Sequence, residues 1–279
     1  PCTNALIEHK IRKLFCGTLD PNPKINGRGI KLLKKAGIHT KVGLLRKECK
    51  QLNKIFFTNQ KKLRPYIILK SAQSIDGKIA LKNGESNWIS NTESRKDSHR
   101  IRSRVKGILV GRGTAEKDNP SLTVRLSKKE LCIDKNETIE QPVKIIIGNL
   151  KKAKKNNKLF SNNAKVIIGS RNSAKQSKNL EYIEYKEKDF LDKFLKDLLA
   201  RNISSILVEG GQKTLNTFIA KNLFDELVIY TAPIFLGDES IKTLSVKAPN
   251  SIKNSSKLKT VKIERFKDDI KTTYYNENI

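Results

Sequence analysis

Methionine is absent from the 279 residues, tryptophan occurs once, and acidic side chains are about half as frequent as basic ones. A natural chain opens on methionine and this one opens on Pro1, so we read it as a fragment of a longer protein. No stretch approaches the roughly 20 apolar residues of a transmembrane helix, which argues against a membrane partner. The four cysteines, Cys2, Cys16, Cys49 and Cys132, show no C-x-x-C spacing. They read as reduced thiols of a cytoplasmic protein rather than a disulfide framework. The three histidines, His9, His39 and His99, lie far apart with no H-E-x-x-H spacing. Taken alone they read as surface or satisfied side chains. Aromatics make up 6% of the chain and do not interleave with the lysines, so the formal charge of +29 carries no stacking stripe for nucleic acid. We read the charge as drift toward Lys, Asn and Ile and expect no nucleic acid partner. Phosphate-bearing small molecules are the anionic partners left.

What is present is a series of dense apolar runs, such as Tyr66-Ile67-Ile68-Leu69 and Ile145-Ile146-Ile147. The first sixty residues alternate: helix from Thr3 to Glu8, strand from Lys13 to Thr18, and a turn at Asp20-Pro21-Asn22-Pro23. A helix from Arg28 to Ala36 ends at Gly37, followed by a strand Ile38 to Val42 and one helix Leu44 to Phe56. A lysine-rich joint, Asn59 to Arg64, leads into a strand from Tyr66 to Ser71. Turns fall at Asp76-Gly77 and Asn83-Gly84. Ser90 and Glu93 have capping-box spacing for a helix running to about Arg104. Strands are expected at Gly107–Val110, Val143–Ile147, Lys165–Ile168, Ser205–Val208, Glu226–Ala232 and Thr260–Ile263. Helices are expected at Phe190–Ala200 and Leu215–Lys221, and Lys151 to Lys158 reads as a charged loop. Alternating strands and helices predict an α/β fold with a largely parallel sheet.

Two glycine turns follow predicted strands: Gly111-Arg112-Gly113-Thr114, and Gly210-Gly211-Gln212-Lys213-Thr214 at the start of a helix. Glycine lets backbone N–H groups approach a phosphate, and a helix N-terminus offers unpaired donors. Ordinary strand-to-helix turns use the same residues. A Rossmann fingerprint is not complete, because Glu116 occupies the place of its third glycine. Arg102 and Arg125 stand out in a lysine-rich chain as candidates for bidentate anion binding, and a solvated helix face accounts for them equally. Trp88 has a core anchor as its simpler reading. Glu209 ends an apolar strand, where a carboxylate is costly unless paired or functional.

In order along the chain come Leu69-Lys70-Ser71-Ala72-Gln73-Ser74-Ile75-Asp76-Gly77-Lys78-Ile79-Ala80, Gly84-Glu85-Ser86-Asn87-Trp88-Ile89, His99-Arg100-Ile101-Arg102, Gly111-Arg112-Gly113-Thr114, Asp118-Asn119-Pro120-Ser121-Leu122-Thr123-Val124-Arg125 and Val208-Glu209-Gly210-Gly211. The set resembles the reductase domain of the bifunctional deaminase–reductase family of riboflavin biosynthesis. The resemblance covers about residues 64–279. It implies a dihydrofolate-reductase-like domain over 61–279 with a mainly parallel mixed sheet, NADPH as cofactor, a phosphorylated pyrimidine substrate and a homodimer. By position, Ala72, Trp88, Thr114, Asp118, Gly211, Gln212, Lys213 and Thr214 would face the cofactor. Ser86, Arg102, Leu122, Arg125 and Glu209 would face the substrate, with Lys70 and Asp76 close to the chemistry. The implied reaction delivers hydride to C1′ of the opened ribose of 5-amino-6-(5-phosphoribosylamino)uracil, giving the ribitylamino product.

Residues 1–60 are similar to the end of the family's cytidine-deaminase-like α/β domain, through Pro1-Cys2-Thr3-Asn4-Ala5-Leu6-Ile7, Asp20-Pro21-Asn22-Pro23 and Gly27-Arg28-Gly29. Of that domain's zinc ligands only Cys2 is matched here, and a catalytic zinc needs three protein ligands. Rival readings are a pteridine reductase of the dihydrofolate type, a basic nucleic-acid-binding protein, and an inactive fragment. The chain is expected neither to bind zinc tightly nor to deaminate, zinc belonging to the full-length parent. Measured pyrimidine deaminase turnover by this chain would refute that expectation.

Overall fold

The computed structural model describes residues 2–22, 24–150, 158–172 and 178–277. Pro1, Pro23 and nearly all of the expected Lys151–Lys158 loop lie outside them. The chain divides into two compact units, Pro1–Tyr66 and Ile67–Ile279.

The first unit runs α1 (Cys2–Glu8), β1 (Lys13–Cys16), α2 (Arg28–Lys35), β2 (His39–Val42), α3 (Arg46–Leu52) and α4 (Lys54–Lys62). Strands β1 and β2 pair in parallel. The single helix expected over Leu44–Phe56 is two. Asn53 leaves helical geometry, and its side-chain amide joins its backbone N–H in donating to the Cys49 carbonyl, at 2.9 and 3.2 Å. The expected joint at Asn59–Arg64 is helical as far as Lys62.

The second unit contains β3 (Tyr66–Ser74), β4 (Lys78–Ala80), α5 (Thr92–Arg102), β5 (Gly107–Gly111), α6 (Arg112–Lys117), α7 (Lys128–Leu131), β6 (Val143–Ile147), β7 (Val166–Ser170), β8 (Leu180–Glu184), α8 (Leu191–Ala200), β9 (Ser205–Glu209), α9 (Gln212–Ala220), β10 (Glu226–Ala232), β11 (Ile241–Lys242), β12 (Leu258–Phe266) and β13 (Asp269–Asn276). Nine of these strands form one sheet in the order β12-β13-β10-β3-β9-β5-β6-β7-β8. The β10–β3, β9–β5, β5–β6, β6–β7 and β7–β8 pairs are parallel, and β12–β13 and β13–β10 antiparallel. Strands β4 and β11 pair separately. This is the α/β fold with a largely parallel sheet that the alternation of elements predicts, mixed as the family resemblance implies.

Parallel central strands are buried on both faces and so read as continuous apolar runs. Gly107–Gly111 is buried throughout. Successive side chains serve opposite faces of the sheet. Leu109, Ile145, Ile167 and Val208 enter one core with Leu191, Phe194, Leu195 and Leu198 of α8. Ile108, Val110, Ile146, Ile168 and Leu207 enter the other. The spacing of the four α8 residues is that of one helical stripe. Gly169 of β7 lets Phe194 lie against the sheet, since a Cβ there would sit 2.8 Å from the ring.

The expected capping box at Ser90 is replaced by Asn91, whose side chain accepts from the Ser94 amide at 3.0 Å. Glu93 then stands one place too early to close a box. Gly113 forms no open turn, because α6 starts directly on Gly111. Strand β13 went unexpected because its buried face is polar. Asp269, Lys271 and Thr273 point inward while Ile270 is exposed, the reverse of the usual pattern. Among the described residues no helix is long and apolar enough to cross a membrane.

Phe194→Ala is expected to cost about 3–5 kcal/mol by opening a cavity under Gly169; denaturant unfolding monitored on the second unit measures it, and a loss under 1 kcal/mol would contradict this packing.

Candidate active site

Strands β5, β6 and β9 end beside one another at Gly111, Ile147 and Glu209, all of which line a cavity of about 980 Å³. In an open α/β sheet this is where ligands bind, outside the carboxyl ends of the strands. Two helices start at the cavity, α6 on Gly111 and α9 on Gly211, and neither has a side-chain cap. The amides of Gln212 and Lys213 fall in the first turn, outside the intrahelical ladder, with the positive end of the helix dipole behind them. The two turns touch: the Gly211 amide donates to Thr114 Oγ1 at 3.3 Å. One glycine of each turn is required by space. A Cβ on Gly111 would lie 2.3 Å from Thr214 Oγ1, and one on Gly210 would lie 2.9 Å from Thr214 Cβ.

An ion pair also lines the cavity. Arg102, on the last turn of α5, donates from Nε to Glu209 Oε1 at 3.0 Å and from Nη2 to Oε2 at 2.5 Å. Both side chains are largely buried. A carboxylate at the end of an apolar strand is therefore paired, and the pairing is bidentate. Burial pushes the Glu209 carboxyl up, and the neighbouring Arg102 and Lys70 outweigh this and hold it below the usual range. Arg102 also donates from Nη1 to the Thr123 carbonyl at 3.1 Å, tying the 121–125 segment to the helix.

Lys70 lies on β3 beside this pair. Burial lowers its pKa, Glu209 partly restores it, and Arg102 lowers it again. Its Nζ sits 5.4 Å from the Tyr230 ring centre. The Tyr230 hydroxyl donates to Asp97 Oδ2 at 2.6 Å, and Lys271 holds the same oxygen at 2.7 Å. Arg125, expected at the substrate, is exposed and lies outside the cavity lining, and it donates to Ser121 Oγ at 2.8 Å. Burial and the charge of Arg102 lower its pKa, with Glu209 opposing. Among the described residues it forms no ion pair.

The expected site residues divide. Lys70, Ala72, Ser86, Arg102, Thr114, Asp118, Leu122, Glu209 and Gly211 through Thr214 line the cavity. Leu122 does so buried, with a φ of 48°. Trp88 does not line it and is no core anchor either: it is 76% exposed at a φ of 69°, with the Arg95 guanidinium 4.4 Å from its ring centre. Asp76 also lies off the cavity wall. It accepts hydrogen bonds from the Ser74 hydroxyl and from the Leu236 and Gly237 amides, which hold its carboxyl below the usual range and fasten that loop to the β3–β4 turn. Cys2 is exposed on α1, and no metal-ligand cluster occurs among the described residues. Sequence reasoning missed Gly148 and Lys117 of the lining. Gly148 had the same signal as the other two turns, a glycine straight after an apolar strand, and its φ is 109°.

The RibD C-terminal domain model matches residues 65–272. The riboflavin biosynthesis protein RibD of Aquifex aeolicus is 37% identical over 279 residues, spanning 97% of this chain and 74% of that protein. A solved deaminase/5-amino-6-(5-phosphoribosylamino)uracil reductase from Thermotoga maritima is 30% identical with a TM-score of 0.83, over 99% of this chain and 74% of that one. Acinetobacter baumannii RibD, form 1, is 26% identical with a TM-score of 0.86, over 99% and 76%.

Arg102→Ala is expected to cost about 3–5 kcal/mol at neutral pH by leaving the Glu209 charge buried and unpaired. The pair's own contribution is present above the ordinary carboxyl pKa and lost as pH falls through the lowered one. The stranded carboxyl of the variant is relieved by protonation. The gap between the two proteins should therefore narrow on acidification; unfolding curves at neutral and acidic pH test this, and a constant gap would be inconsistent with it.

Proposed function

The chain belongs to the RibD C-terminal domain family, and from that premise we propose how its own residues reduce the phosphoribosylamino-pyrimidine of riboflavin biosynthesis with NADPH. The activity is that of an oxidoreductase. The paired glycine turns, the uncapped starts of α6 and α9, and the volume between them suit a dinucleotide. Thr114, Asp118 and Gly211 through Thr214 would hold it, with Ala72 alongside. The bound coenzyme supplies the hydride.

Everything else falls to side chains. Glu209, set by Arg102, offers carboxylate oxygens to donors on the pyrimidine, with Ser86 and Leu122 bounding the ring. Arg125 takes the ribose phosphate. Lys70, an ammonium whose proton is held less tightly than usual, donates it to the ring oxygen released as C1′–O4′ opens, completing the alcohol. Asp76 acts from behind, by fastening loop 236–237. Trp88 reaches the cofactor only if its loop moves.

One observation carries the substrate reading. Of two neighbouring guanidiniums, Arg102 is neutralised by Glu209 and Arg125 is not. A cation left without an ion partner, close enough to that pair to feel both its charges, favours an anion beside it. A simple pterin makes no such demand; a folate, through its anionic glutamate, would, and a folate turnover assay separates the two. The Pro1–Tyr66 unit is read as cytidine-deaminase-like, with Cys2 the residue that matches a zinc ligand. A homodimer is supported by outer strand β12, which exposes Val261 and Ile263.

NADPH oxidation with the deaminated, phosphorylated pyrimidine tests the proposal. Arg125→Ala should raise KM for it by about 30- to 150-fold, the equivalent of roughly 2–3 kcal/mol for a charge-assisted pair. An unchanged KM would remove Arg125 from the site.

A further inference from the structure

Among the described residues His99 belongs neither to the cavity lining nor to any ion pair, yet it lies on α5 among the groups that matter. Ser98, one residue before it, donates to Glu209 Oε1 at 3.4 Å, and Arg102, three residues after it, forms the main pair. The His99 ring turns instead to the 121–125 segment, where its Nδ1 accepts the Arg125 backbone amide at 3.2 Å.

That segment has no regular secondary structure. Its course is set by three side chains reaching its backbone. Arg102 holds the Thr123 carbonyl, and Gln141 brackets Val124, accepting from its amide at 2.9 Å and donating to its carbonyl at 3.2 Å. His99 supplies the last hold, on the residue whose guanidinium is to meet the phosphate. Without it, the amide of Arg125 loses its acceptor, and among the described residues no other side chain holds the backbone between Val124 and the Ser127 cap of α7.

We propose that His99 is a positioning residue for phosphate recognition, fixing the backbone of Arg125 so that its guanidinium is presented beside Arg102. The proposal rests on the reading of Arg125 as the phosphate ligand.

The chemistry of the position supports it. Nδ1 can accept only when unprotonated, and burial, then Arg102 and Arg125, push the imidazole pKa down to about 4. A neutral ring adds no further charge to a region already holding Lys70, Arg102 and Arg125. A lysine or arginine at 99 would have no acceptor to offer and would add repulsion. Fixing the backbone that carries a charged side chain before the ligand arrives lowers the ordering cost of binding.

The test compares His99→Leu, His99→Gln, His99→Asn and Arg125→Ala in steady-state reduction of the phosphorylated pyrimidine and of its dephosphorylated nucleoside. Asparagine places an acceptor oxygen near the Nδ1 position; glutamine moves it one methylene further out; leucine has none. His99→Leu and His99→Gln should raise KM for the phosphorylated substrate about tenfold. Turnover number, the KM for NADPH and the KM for the nucleoside should be little affected. His99→Asn should restore most of the lost affinity. If leucine prevents folding, the Gln–Asn pair carries the comparison. The proposal is overturned if Arg125→Ala raises KM while His99→Gln and His99→Leu do not. It is equally overturned if every His99 variant loses phosphorylated substrate, nucleoside and cofactor alike, the pattern of a merely structural residue. Should Arg125→Ala itself leave KM unchanged, the phosphate reading fails first and the proposal falls with it.

Discussion

A carboxylate placed at the end of a buried strand governs the rest of this site. Glu209 closes β9, with apolar side chains leading up to it, and burial alone would oppose its charge. Taking an isolated ion from water costs several kcal/mol even after relaxation, so a partner must come to it. Arg102 is that partner, and the demand docks the end of α5 against the strand. The pair does not have to be a large net source of stability to matter. Its effect is to decide position: one element cannot shift without stranding a charge.

Position then propagates. The guanidinium that serves Glu209 also holds Thr123, so the 121–125 segment is anchored by the same group. Glu209 is committed to Arg102, so Arg125 is left without an ion partner among the described residues. Lys70 sits on β3, next to β9 in the sheet, and receives burial and the Arg102 charge together. On the other wall, glycines let α9 press against the end of β5, and uncapped helix starts face the same space. A charged wall and an amide wall thus meet because β9, late in the chain, inserts between β3 and β5.

Much of this was legible. The central strands announced themselves because parallel strands covered on both faces need apolar residues throughout, and α8 because one stripe of it is buried. Glu209 stood out as a carboxylate where water is excluded, and the glycine turns as strand ends. Strand β13 escaped because it buries Asp269, Lys271 and Thr273, which only partners from elsewhere make tolerable; Lys271 meets Asp97 of α5. Asn91 displaced Ser90 as cap because both residue types accept the same bond, and only backbone geometry chooses between them. Trp88 was open to two readings, core or cofactor; its exposure removes the core reading, and its ring lies under Arg95 outside the cavity lining.

Sequence by itself determined the class of fold and its family, along with the set of residues from which a site could be built. Those properties are local or ordered along the chain: apolar period, turn chemistry, and the succession of short motifs. It could not decide which cations are spent and which remain available. Arg102 and Arg125 are alike as letters, and His99 is unremarkable as one. Only the three-dimensional arrangement separates them, because neutralisation and hydrogen bonding act between groups that are close in space, whatever their separation along the backbone.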